Sequence, residues 1–151
     1  MSYLSLDAVS SAIYTALNVA SLQALSPGGI GDDMGQRTNN SGGVFDTFTL
    51  FEVNEDATGP GLGSKPGRNS VLQIDLRVHV FWPGDSLVVG QSAMAEAIRL
   101  LSADNALTIT GYAVCGTEPF YDGAQHFAEQ IVAGVVVHEM VSLWRLFVTE
   151  S

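Results

Sequence analysis

The stretch that most constrains this chain is Val71–Trp82. Leu72, Ile74, Leu76, Val78, Val80 and Trp82 fall on one side of a two-residue alternation, and Gln73, Asp75, Arg77 and His79 on the other. A period of two belongs to an extended strand with one buried face, because successive side chains leave a pleated backbone in opposite directions. At about 3.3 Å per residue the segment spans about 40 Å, against about 17–20 Å for a common strand. A strand that long, in a chain of 151 residues, either extends past its own core or builds a sheet that another subunit helps cover.

Around it the apolar period changes. Leu6, Val9, Ile13, Leu17 and Ala20 recur at three- and four-residue intervals and predict an amphipathic helix over Leu6–Ala24, with Ser5 as N-cap, Asp7 in the first turn and Ser26-Pro27-Gly28-Gly29 as the stop. Met94, Ala97, Ile98 and Leu101 predict a second helix over Leu87–Ala103, capped by Ser86 after the turn Pro83-Gly84-Asp85 and weakened slightly by Gly90. Phe45–Val53 suits a strand, and Leu107–Thr117 a short strand pair or one bent strand. Residues 118–140 are ambiguous. Within Ile131–Val148 the triplet Val135-Val136-Val137, and the alternation of Leu143, Arg145 and Phe147 against Trp144, Leu146 and Val148, favour a strand.

Two segments read as loops. Residues 26–43 hold six glycines and little apolar material. Residues 55–70 contain Thr58-Gly59-Pro60-Gly61-Leu62-Gly63-Ser64-Lys65-Pro66-Gly67, far more than a hairpin needs, and so act as a functional arm or a disordered insertion. The sum is one α+β domain over residues 1–151: two helices packed on one face of a mostly antiparallel β-sheet, with a long Gly/Pro-rich loop between two long strands.

Charge excludes one class of function. Six Lys and Arg stand against sixteen Asp and Glu, a formal net charge of −10, and the six are spread from Arg37 to Arg145 without a patch. A nucleic-acid binder releases counterions through clustered cations, which this chain lacks. Net negative charge equally serves solubility. No run reaches the roughly 18–20 apolar residues of a membrane span, and Met1-Ser2-Tyr3-Leu4 lacks the basic and apolar regions of a signal peptide, so a protein made and kept in a cytoplasm is expected. Cys115 is expected to be a small buried hydrophobe, since no cation adjoins it to stabilise a thiolate.

The sequence motifs fall short of known chemistry. His138-Glu139 opens like a zinc-protease helix, but the second ligand would stand at position 142, which is Ser. His79, His126 and His138 are far apart in sequence and no cysteine pair supplements them. Lys65 lies between Ser64 and Pro66, outside any phosphate-binding loop, and the pairs Asp32-Asp33 and Glu55-Asp56 sit in loops. No catalytic, cofactor-binding or metal-ligating residue is expected. A hydrolase using His138 and Glu139 is the enzymatic alternative.

The order of elements (N-terminal helix, strand, long Gly- and Ser-containing loop, the alternating strand Val71–Trp82, turn, Ala-rich helix, and Leu107-Thr108-Ile109 opening a terminal strand region) resembles the tail-terminator and tail-completion, or head-tail joining, proteins of long-tailed bacteriophages and related gene transfer particles. The resemblance spans Leu6 to Val148 and rests on spacing and hydrophobic pattern, with a longer Gly28–Gly43 loop and a more apolar C-terminal third than the family shows. It implies a non-enzymatic virion protein in the tail or neck, assembled in the host cytoplasm. Such a protein forms a ring, commonly of six subunits, on the tail tube and faces the head connector or a head-completion protein. DNA passes it without specific binding, and no membrane is involved. Leu62 as an apolar anchor, with Lys65 and Arg68 for an acidic neighbour, are the candidate partner contacts. Other readings are a head-completion adaptor and a small α+β binding module unrelated to viruses.

Overall fold

The computed structural model describes residues 6–32, 46–55, 72–84, 86–116, 119–132 and 135–150. The loop Gly28–Gly43 is therefore seen only to Asp32, and the arm carrying Leu62, Lys65 and Arg68 lies outside the described residues, as does the Ser5 cap. In chain order the elements are α1 (Leu6–Leu17), α2 (Ala20–Leu25), β1 (Gly29–Gly31), β2 (Phe48–Glu55), β3 (Leu72–Pro83), α3 (Leu87–Leu101), β4 (Tyr112–Val114), β5 (Phe120–Val132) and β6 (Val135–Glu150). The sheet runs β1-β2-β3-β6, and β4 and β5 share the outer edge of β6. Every pairing is antiparallel except the parallel β1–β2. This is an α+β fold, with helices on one face of a mostly antiparallel, curled sheet.

β3 is the strand its alternation foretells. Ile74, Leu76, Val78, Val80 and Trp82 are buried beneath the helices, together with Trp144, Leu146 and Val148 of β6, Val9, Ile13 and Leu17 of α1, Leu22 of α2, and Met94, Ala97 and Leu101 of α3. Its length does not leave an open edge. β2 pairs along one side and β6 along the other, over twelve residues from Leu72↔Val148 to Pro83↔Val137. The strand is long because β6 beside it is longer still, at 16 residues.

Four sequence expectations are corrected. The first helix is two: Val19 takes extended angles (φ −120°, ψ 160°), breaking the helix after Leu17, and Asn18 Oδ1 accepts from Gln23 Nε2 at 2.9 Å across the break. This kink sends Leu22 into the core, which a straight helix ending at Ala24 would not. Second, the loop beginning at residue 26 contains β1. Gly28 N–H donates to the Thr47 carbonyl at 2.7 Å, and a Cβ at Gly28 would come within 2.7 Å of the Asp46 carbonyl oxygen, so glycine here permits close backbone approach. Third, Ser86 holds the N-cap position of α3 without a side-chain cap bond; instead its carbonyl accepts the Trp82 indole N–H at 2.8 Å. Fourth, Cys115 is exposed, because it lies just past the short strand β4, with its backbone N–H on the Phe147 carbonyl.

The ambiguous region resolves into a hairpin. β5 takes residues 120–132, so Ile131 and Val132 belong to it, and β6 begins only at Val135. Irregularities between Tyr121 and Ala124 and between Phe127 and Gln130 shift the register of β5. Each such break inverts the inward–outward alternation, which erases the two-residue period from the sequence.

Candidate interaction surface

The histidines and their acidic neighbours on the sheet separate into two groups, one on each face. His138 and Glu139 are successive residues of β6 and therefore point to opposite faces. His138 is buried on the helix side. Its Nε2 lies 2.8 Å from the Gly84 carbonyl, its ring stacks on Trp82 at 5.2 Å, and Nδ1 is enclosed without a hydrogen-bond partner. The ring of exposed His126 stands 5.5 Å from that of His138. Glu139 lies on the other face, with an oxygen 2.7 Å from His79 Nδ1. The two residues of the hydrolase alternative are thus separated by the sheet itself.

His79 sits between two carboxylates on that outer face. Its Nε2 is 2.6 Å from Glu52 Oε1, an ion-pair contact poorly aligned for a hydrogen bond, and Nδ1 meets Glu139. Arg77, His79, Gln125, Glu139, Val141 and Leu143 border a shallow depression of about 260 Å³ here. On the same face Phe48 stacks on Phe81 at 4.9 Å, and together with Leu50 and Val137 these form a second small apolar cluster. His79 contacts both carboxylates, and among the described residues no set of three or more His, Cys, Asp or Glu converges on a point where a metal ion could sit.

The exposed apolar side chains point instead to contact with other proteins. Val88 is 65% exposed, Leu87 43% and Val89 44%, which makes the first turn of α3 aliphatic over most of its circumference. Phe120 is 59% and Tyr121 40% exposed at the start of β5, the strand that pairs only with β6 among the described elements. Exposed aliphatic clusters of this kind mark interaction surfaces more often than isolated apolar residues do. Sequence reading passed over both. Leu87-Val88-Val89 was legible as three successive apolar residues, which cannot all face one core in a helix of 3.6 residues per turn. Phe120 and Tyr121 lay in the segment whose alternation the register shifts conceal.

No protein-family model matches the chain, and no curated protein matches it significantly. Among solved structures it is similar in fold to a chain of the virion of a native gene transfer agent (GTA) particle. That similarity covers 98% of this chain and 99% of the other, with a TM-score of 0.72 and 19% sequence identity. At this identity the likeness is one of fold, extending over the full length of both chains.

Proposed function

We propose that this chain is a non-enzymatic structural virion protein of a long-tailed, phage-like particle. As a single tail-terminator-like domain it closes into a ring, commonly of six subunits, that caps the tail tube, ends its polymerisation and joins the tail to the head connector. The observation that carries the reading is the end-to-end likeness in fold to a chain of a virion particle. The finer reading, of a tail terminator, is supported by the order of elements in the sequence, which resembles that family.

A ring needs a heterologous contact, in which two different patches of the chain meet and a rotation closes the series. Because β3 is central, it is not the strand that meets a neighbour; aliphatic surface at α3 and the outer edge of β5 are available for contact. The linker 55–70, with Leu62 as an apolar anchor and Lys65 and Arg68 toward an acidic surface, is the proposed arm onto the tube protein or connector. The net charge of −10 lets DNA pass without adhering.

The test is to add the purified chain to growing tail tubes of its own particle and follow their length by electron microscopy, with light scattering for the mass of the free chain. Capping stops elongation at substoichiometric amounts, and the chain appears as a ring at one tube end. Tubes that lengthen unhindered while the chain binds head connectors instead would identify a head-completion adaptor. A chain that binds neither tubes nor connectors would remove the virion reading.

A further inference from the structure

Trp82, His138 and His126 meet on the helix side of the sheet, one each from β3, β6 and β5. Their centroids lie 5.2 Å apart for Trp82 and His138, 5.5 Å for the two histidines and 5.7 Å for Trp82 and His126, with planes inclined by 20° to 30°. A column of three stacked rings would separate its outer members by about 7–8 Å, twice the contact distance of about 3.5–4 Å. No pair here is that far apart, so the rings gather around one point and none lies between the two imidazoles. His138 brings a lone pair to the cluster. Its Nε2 faces the Gly84 carbonyl, which can only accept, so Nε2 carries the hydrogen and Nδ1 of the neutral ring keeps its lone pair. That nitrogen has no hydrogen-bond partner, although His138 is only 3% exposed. An imidazole whose other nitrogen donates to a backbone carbonyl is the arrangement that holds metal-ligating histidines in one tautomer and orientation. The strand register supplies a third donor. Met140 stands opposite His126 across β5 and β6, and two residues from His138 along β6, so all three share one face. Opposed residues of an antiparallel pair have Cβ atoms about 4.5–5.5 Å apart.

We propose that His126, His138 and Met140 form a binding site for a soft transition-metal ion, copper(I) by preference. Two imidazoles suit zinc, nickel and copper alike, whereas a thioether is a soft ligand that selects copper(I). The nearby carboxylate of Glu139 lies on the opposite face of the sheet, so a hard cation such as magnesium or calcium, which needs oxygen donors, gains nothing here. His138 is buried and fixed by Gly84, and Met140 is half-buried against the main core, while His126 is exposed and is the ligand nearest solvent. The register of β5 shifts just after His126, between Phe127 and Gln130. Such irregularities re-aim side chains beside functional sites, and a bound ion would tie this uneven edge strand to the centre of the sheet. The site lies within one copy and does not depend on ring closure.

The experiment uses the full chain with Cys115→Ser, because the exposed thiol would itself take copper(I). Titrated without oxygen against a chromogenic copper(I) chelator, this chain is expected to bind one equivalent, and its thermal midpoint to rise in the presence of the ion. His126→Ala and Met140→Leu are each expected to weaken copper(I) binding by at least about tenfold, the lower end of the range for disturbing even a ligand's supporting contacts, and to abolish the rise. Both leave the circular dichroism of the metal-free chain unchanged. Zinc, which gains nothing from a thioether, is expected to bind more weakly after His126→Ala but equally after Met140→Leu. A chain that takes up no copper(I), or whose uptake both substitutions leave intact, would overturn the inference. Copper(I) binding lost with His126→Ala and untouched by Met140→Leu would overturn the assignment of Met140 and the preference for copper(I). None of these outcomes alters tube capping, so the virion reading stands or falls on its own test.

Discussion

Gly90 shows how one residue can carry opposite meanings in sequence and structure. Inside a helix, glycine costs about 1 kcal/mol relative to alanine, so propensity alone favours Gly90→Ala. In the fold, a Cβ at position 90 would lie 2.1 Å from Cε3 of Trp82, whose ring α3 packs directly upon. The substitution is therefore expected to destabilise by about 1–3 kcal/mol, the usual cost of overpacking, as read from the urea midpoint. Trp82 cannot move away readily, since its indole N–H is fixed on the Ser86 carbonyl and its face on the His138 ring. Cys115 makes the converse case: an apolar-looking residue in a strand-like sequence ends up exposed. Its thiol is expected to react fully with a water-soluble disulfide reagent without denaturant, and Cys115→Ser to change stability by less than about 0.5 kcal/mol.

A few polar contacts tie the elements together, at the surface and in the core. Glu96 of α3 accepts both Nε and Nη2 of Arg99, at 2.7 and 2.6 Å, and also bonds Ser21 of α2. The Arg99 hydrogen bonds foremost, and the Ser21 bond after them, pull its carboxyl from the ordinary value of 4.5 down to about 2. A carboxylate whose folded pKa is lowered stabilises the fold above its unfolded pKa and loses that contribution as pH falls through the folded one. The urea midpoint is accordingly expected to fall between about pH 4.5 and 2, and Glu96→Gln to remove part of that slope while leaving the decline due to other carboxylates. A second tie joins the end of α2 to the sheet: the hydroxyls of Ser26 and Thr49 are 2.7 Å apart and both buried. Thr49→Val strands the Ser26 hydroxyl and is expected to cost about 1–3 kcal/mol, whereas adding Ser26→Ala recovers much of the loss, because an unpartnered buried polar group costs more than an absent pair. A double-mutant cycle in urea measures that coupling, and simple additivity would refute it.

At the scale of the whole molecule, charge and surface work in different directions. The excess of sixteen acidic over six basic residues opposes contact with nucleic acid, and two of the cations, Arg99 and Arg145, already face Glu96 and Asp122. Duplex DNA is expected to migrate unretarded in a gel-shift titration with the protein at physiological salt; a shifted band would contradict the proposed passage of DNA without adhesion. Aliphatic surface, in contrast, favours contact with protein. The arrangement of the sheet decides which surface is presented: β3 is enclosed by β2 and β6, and the edge passes to β5, where Phe120 is exposed and Tyr121, packed on Trp144, is partly so.

Local pattern was enough for β3, for α3 and for the α+β class, since a sustained period of two or of 3.6 admits few alternatives when one face must be buried. It was not enough for β1, where Ile30 is the lone large apolar residue among glycines and is buried only because β2 runs parallel beside it. Nor did it reveal β5, whose two register shifts cancel the alternation, or the break at Val19, which exists to bring Leu22 into a core built by distant strands. Leu62, Lys65 and Arg68, contact candidates on composition alone, lie outside the described residues. The separation of His138 from Glu139, and the exposure of Leu87, Val88 and Val89, follow from which face of each element packs against the rest. Periodicity states that a buried face exists; only the tertiary arrangement determines what covers it, because burial depends on partners that lie far away along the chain.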